Sequence, residues 1–99
     1  MSLSSSQIRQ LRSQAHHLKP VVMIGQHGLK DSILEEIEIA LDAHELIKVK
    51  IAADKAERLA IADSLIKNSG AELVQHIGQM AVLFRRNPQK PRILLASNK

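Results

Sequence analysis

The hydrophobic period changes abruptly between residues 29 and 51, and this change constrains the fold more than any other feature of the chain. Leu29, Ile33, Ile37 and Leu41 recur every four residues, with Leu34 and Ala40 widening the stripe, which is the spacing of one helical face. Shortly afterwards Ile47, Val49 and Ile51 alternate with Lys48 and Lys50, the period-two pattern of a strand. A helix that runs almost directly into a strand must lay its apolar stripe on a sheet, so the pattern predicts an α/β fold.

The flanking segments extend that alternation. Ile8, Leu11 and Ala15, with Leu18 closing the stripe, predict a first helix over residues 4–17. Ser4 or Ser5 is its cap and Lys19-Pro20 its stop, because proline lacks a donor and restricts the residue before it. Val21 to Ile24 reads as a short strand that is apolar throughout, as when both faces are covered. Asp54-Lys55-Ala56-Glu57 has the form of a capping box, opening a third helix with a stripe of Leu59, Ala62 and Ile66 beside Leu65. Gly70 suits the residue just past its end. Residues 71–77 and 80–85 form an antiparallel pair around a Gly78-Gln79 turn. The expected order is α-β-α-β-α-β-β, a single compact domain with a four-stranded mixed sheet and helices. Residues 1–86 make up that domain, and 87–99 a basic C-terminal tail in which Ile93-Leu94-Leu95 can tuck back. The alternating Lys48 and Lys50 leave two possibilities: a partly open sheet face, or lysines snorkelling from beneath a helix.

With 99 residues there is room for one core, and an apolar fraction of 44% argues against wholesale disorder. Cysteine is absent, which excludes thiol chemistry and disulfides and is compatible with a reducing cytoplasm. The N-terminal residues lack the apolar region of a signal peptide, and no run approaches the ~20 residues of a membrane span, so no membrane role is expected. Charge is segregated. Residues 1–28 carry +3, residues 29–45 carry −5, residues 46–83 carry +1 and residues 84–99 carry +5. One acidic helix between basic ends lets a polyanion meet one face while the acids look elsewhere.

The strongest candidate site is Gly25-Gln26-His27-Gly28, which joins a strand to a helix N-terminus. Amides and helix dipole favour an anion there, and paired glycines let a nucleic-acid backbone approach without a side-chain clash. A GxxG loop clamps backbone nucleotides in other RNA-binding modules. The plainer reading is a strand-to-helix turn. No Gly-Lys-Ser/Thr follows and a third glycine is missing, so neither a P-loop nor a dinucleotide fingerprint fits. Arg9, Arg12, Lys19 and Lys30 flank the loop in sequence, and Arg85 and Arg86 close the last strand; Lys90 and Arg92 follow in the tail. Phe84 is the only aromatic and belongs to the core, so an aromatic base-stacking platform is unavailable and phosphate and shape contacts are expected to dominate. The five histidines share no ligand spacing, and no nucleophile elbow or isolated carboxylate pair is visible. Neither a metal, a cofactor nor a catalytic residue is expected.

Three ordered stretches carry a resemblance: Leu18-Lys19-Pro20-Val21-Val22-Met23-Ile24-Gly25-Gln26-His27-Gly28-Leu29, then His44-Glu45-Leu46-Ile47-Lys48-Val49-Lys50, and Ile77-Gly78-Gln79 through Val82-Leu83-Phe84-Arg85. Together, across residues 3–86, the chain resembles the CRM domain family (chloroplast RNA-splicing and ribosome maturation), in particular its stand-alone bacterial YhbY-like members. The resemblance implies a fold similar to the C-terminal domain of translation initiation factor three. It implies structured-RNA binding through a basic surface that includes the loop from Gly25 to Gly28. It further implies association with ribosomal RNA in precursors of the large ribosomal subunit, as an assembly factor and not an enzyme; plant relatives with several copies act in group II intron splicing. A monomer is expected, with ribosomal proteins as possible partners. An alternative is a protein–protein adaptor that recruits a basic ribosomal or assembly protein through the acidic helix. Two departures stand out. Lys30 replaces a hydroxyl residue that would cap the helix, leaving Asp31 or Ser32 to do so, and Phe84 replaces a common tyrosine.

Overall fold

The computed structural model describes residues 3–25 and 28–96. Three helices and four strands follow the expected order: α1 Ser5–Ala15, β1 Val22–Ile24, α2 Asp31–His44, β2 Leu46–Ile51, α3 Lys55–Ser69, β3 Glu72–Ile77 and β4 Met80–Phe84. The sheet order is β1-β2-β4-β3. β1 and β2 are parallel, joined through α2, and β4 lies antiparallel between β2 and β3. The sheet is therefore mixed, with the hairpin strand inserted in its middle. An extra residue in β3 between the Leu73–Leu83 and Gln75–Val82 pairs forms a bulge, and it turns Val74 inward.

Strand alternation sorts the core into two layers. Ile47, Val49 and Ile51 are fully buried with Val22, Ile24 and Leu83 under Ile37 and Leu41 of α2 and Leu65 of α3. On the other face Leu46, Val74, Val82 and Phe84 meet Leu11 and Ala15 of α1. Burying a side chain of this kind contributes about 1.5–3 kcal/mol, so both layers stabilise the fold. The second layer covers only part of its face. Met23, at 61% exposure, points into the uncovered part, so β1 is covered on one side and not on both as its apolar run suggested. Lys48 and Lys50 lie on the same face, each half-buried, which supports the partly open reading.

Two further expectations are corrected. α1 ends at Ala15 and not His17; its start is a capping box in which the Ser4 Oγ accepts the Gln7 N–H and the Gln7 Oε1 accepts the Ser4 N–H. The buried face of α3 runs through Ala62, Leu65 and Ser69, while Leu59 is more than half exposed. At 100° per residue Leu59 lies roughly 120° around the helix from Leu65, beyond the reach of the sheet.

Residues 87–96 lie back against α1. The Gln7 Nε2 donates to the Ala96 carbonyl at 3.0 Å and the Gln10 Nε2 to the Leu94 carbonyl at 2.7 Å. Ile93 and Leu95 pack on the second core layer.

Candidate nucleic-acid interface

Helix starts differ in a way that isolates one of them. Ser4 caps α1, and the Asp54 carboxylate caps α3 by accepting the Glu57 N–H at 2.9 Å. α2 begins after Lys30 with no side-chain cap hydrogen bond. Asp31 is the first helical residue; neither it nor Ser32 takes the capping position, contrary to the sequence expectation. Asp31 still faces the dipole favourably, but among the described residues the first-turn amides of α2 lack the side-chain acceptor that the other two helices possess.

The glycine loop sits immediately before that start. The Gly28 N–H donates to the Gly25 carbonyl at 3.1 Å. Gly28 has φ +70°, a conformation that side chains with a Cβ disfavour, so its own backbone favours glycine there. Gly25 is different: its φ is not positive, and a Cβ built on it meets no described atom within 4 Å. Folding has no visible need for glycine at position 25, whereas close approach by another molecule's backbone would need it. Gln26 and His27, also expected in the site, lie outside the described residues.

Cations gather unevenly around this end. Lys30 is exposed at the start of α2. Lys50 lies beside Met23 in the register of β1 and β2. Lys19 and Lys48 lie farther off, lining a cleft of about 420 Å³ with Leu18, Val21, Leu46 and Ile93 that reaches the Leu46 end of the sheet. Among the described residues no ion pair engages any of these four lysines. Lys48 and Lys50 were legible as strand lysines but not as site residues; their signal was a basic row on a sheet face with no carboxylate opposite.

The remaining basic candidates lie elsewhere. Arg9 is exposed on α1, and the Arg12 Nε donates to the Val74 carbonyl at 3.1 Å, tying α1 to β3. Arg85 and Arg86 follow β4, whose last residue pairs with Leu46, so they lie at the opposite end of the sheet from the loop. That separation is about 17 Å along the six-residue β2. Arg85 contacts Glu38 at 2.8 Å and Asp42 at 2.9 Å, and donates to the Ser69 carbonyl at 2.7 Å. Arg86 bonds the Glu45 carboxylate and the Ile93 carbonyl and stacks over Phe84 at 5.6 Å.

Glu45 is the residue sequence reasoning missed. It reads as one more acid of the helix but is fully buried at the end of α2, with φ 63°. Its carboxylate accepts N–H bonds from Asn87 at 2.6 Å, Arg92 at 2.7 Å and Ile93 at 2.8 Å. Burial alone would raise its pKa. The three backbone donors and the Arg86 charge outweigh burial and hold it below the ordinary glutamate value. No group of three His, Cys, Asp or Glu among the described residues could hold a metal ion.

The comparisons with known proteins agree on one lineage. A family model, the CRS1 / YhbY (CRM) domain, matches residues 3–85. A protein of Pseudomonas aeruginosa named a probable RNA-binding protein is 47% identical over 90 residues, spanning 90% of this chain and 86% of that one. An RNA-binding protein of Haemophilus influenzae is 47% identical over 85 residues, 85% of this chain and 86% of its own length. The solution structure of a Staphylococcus aureus protein superposes with a TM-score of 0.82 at 33% identity, covering 96% of this chain and all of that one. A glycine loop before an uncapped helix, a β1-β2-β4-β3 sheet and these matches make the chain a member of the CRS1 / YhbY (CRM) domain family.

Proposed function

We propose that this chain binds structured RNA by its sugar–phosphate backbone at the loop from Gly25 to Gly28, and that it does so without catalysing a reaction. The observation that carries the reading is Gly25, a glycine that neither backbone angle nor packing requires, placed directly before the uncapped start of α2. A phosphate oxygen there would accept the N–H bonds that Ser4 and Asp54 accept at the other two helices. Lys30 supplies the nearest charge and Lys19, before the start of β1, a more distant one, with Gln26 and His27 as the other loop residues. Arg9 and Arg12 give α1 a basic side, whereas Arg85 and Arg86 serve packing at the far end. The names of the relatives support RNA as the ligand. Family resemblance supports ribosomal RNA in large-subunit precursors as the target and assembly as the role; the cytoplasm, with which the lack of cysteine is compatible, is the proposed setting and a monomer the proposed acting form.

The test is a salt-titrated binding assay on large-subunit and small-subunit ribosomal RNA fragments and DNA duplex, comparing wild type with Gly25→Asp. Salt-sensitive binding to one large-subunit region, lost in the folded variant, is expected. Equal weak binding to every polyanion, untouched by the substitution, would overturn the reading. An adaptor role for the acidic α2 draws support from a hollow between α2 and α3 lined by Leu34, Glu35 and Ile39. Two of the helix's acids, Glu38 and Asp42, are already paired with Arg85, which favours the RNA reading over it.

A further inference from the structure

The open part of the sheet bears an apolar and basic row that the loop reading does not use. Register places Met23, Lys50, Met80 and Ile77 side by side across all four strands, on the face opposite α2 and α3. Met23 is 61% exposed and Ile77 64%, while Lys50 and Met80 are half-buried between them. Val21, at 51%, stands beside Lys48 in the next row. Large apolar side chains exposed together on a small domain mark a contact surface more often than chance exposure does. Both charges in these two rows are positive, which favours a polyanion over an apolar or basic protein partner. The row is also continuous with the loop, because Met23 is two residues before Gly25.

We propose that this row seats unpaired nucleotides of the same RNA whose backbone docks at the loop. The inference rests on the loop reading and adds the ligand's form: a helix with an adjoining single strand. The flexible, polarizable methionine thioethers and the aliphatic isoleucine side chain offer apolar cover for a base face, and Lys50 and Lys48 meet the phosphates on either side. Such cover discriminates weakly between bases, so the preference is for single-stranded character and not for sequence.

Two probes test it: a blunt RNA hairpin and the same hairpin with a short unpaired uridine extension. Wild type is expected to bind the extended probe roughly fivefold more tightly than the blunt one. Met23→Ser with Ile77→Ser, both at exposed positions and checked for folding by circular dichroism, is expected to erase that preference and leave blunt-hairpin affinity unchanged. Lys50→Gln is expected to lower the salt slope by somewhat under one unit on the extended probe and by less on the blunt one. Equal wild-type affinity for the two probes would overturn this inference while leaving the loop reading intact. The loop reading would instead fail if Gly25→Asp left blunt-hairpin binding unchanged. Sedimentation showing a wild-type dimer that the double variant dissociates, with the probe preference unaltered, would assign the row to a second copy of this chain and overturn the proposal.

Discussion

At the Leu46 end of the sheet, Arg85 is locked between Glu38, Asp42 and the Ser69 carbonyl, and Arg86 reaches the buried Glu45. At the Ile51 end, Lys30 and Lys50 stand beside a glycine loop and an uncapped helix with no ion pair among the described residues. The sequence makes both ends basic, yet one set of cations is neutralised within the fold and the other faces solvent. Basic charge in a chain is therefore a poor guide to where a polyanion docks until the internal carboxylates have been assigned. The acidic helix supplies those partners at one end only.

The largest effect should come from the closed end. Glu45→Ala leaves three backbone N–H groups and Arg86 without their acceptor and is expected to cost about 3 kcal/mol, read by chemical denaturation. Its pKa is lowered in the fold, so its contribution is fully present above the unfolded value of about 4.3 and is lost as pH falls through the lower folded value. Wild type should therefore lose stability below about pH 4 more steeply than Glu45→Ala; parallel acid profiles would break the account of this end.

Gly25→Asp should do the reverse, weakening RNA binding about tenfold or more while leaving stability within about 0.5 kcal/mol. Unfolding of this variant would return Gly25 to the role of a simple turn residue. Arg85→Ala should cost about 1 kcal/mol, modest because its partners are largely exposed, with RNA affinity unchanged. A clear loss of binding in Arg85→Ala would erase the distinction between the two ends. The smallest effect is Lys30→Gln, which should lower the salt slope by somewhat under one unit with no change in stability.

Much of the fold was legible because period and punctuation agree: the four-residue stripe of α2, the strict alternation of β2, the Asp54 cap and Gly70 each point to the element found there. What the sequence could not convey depended on partners distant along the chain. Glu45 resembles the acids beside it, and only the return of residues 87–93 gives its carboxylate donors. Met23 sits in an apolar run like a buried strand residue, and only the limited reach of α1 leaves it open. The loop was visible as a pair of glycines, but the distinction between Gly28, which needs its conformation, and Gly25, which does not, required backbone angles.

The most direct measurement is the dissociation constant for one large-subunit ribosomal RNA fragment across a salt series, with wild type, Gly25→Asp and Arg85→Ala side by side. The account predicts that Gly25→Asp alone loses the salt-dependent binding and that Arg85→Ala follows the wild-type line. Equal losses in both variants, or none in Gly25→Asp, would contradict the assignment of RNA to the open end of the sheet.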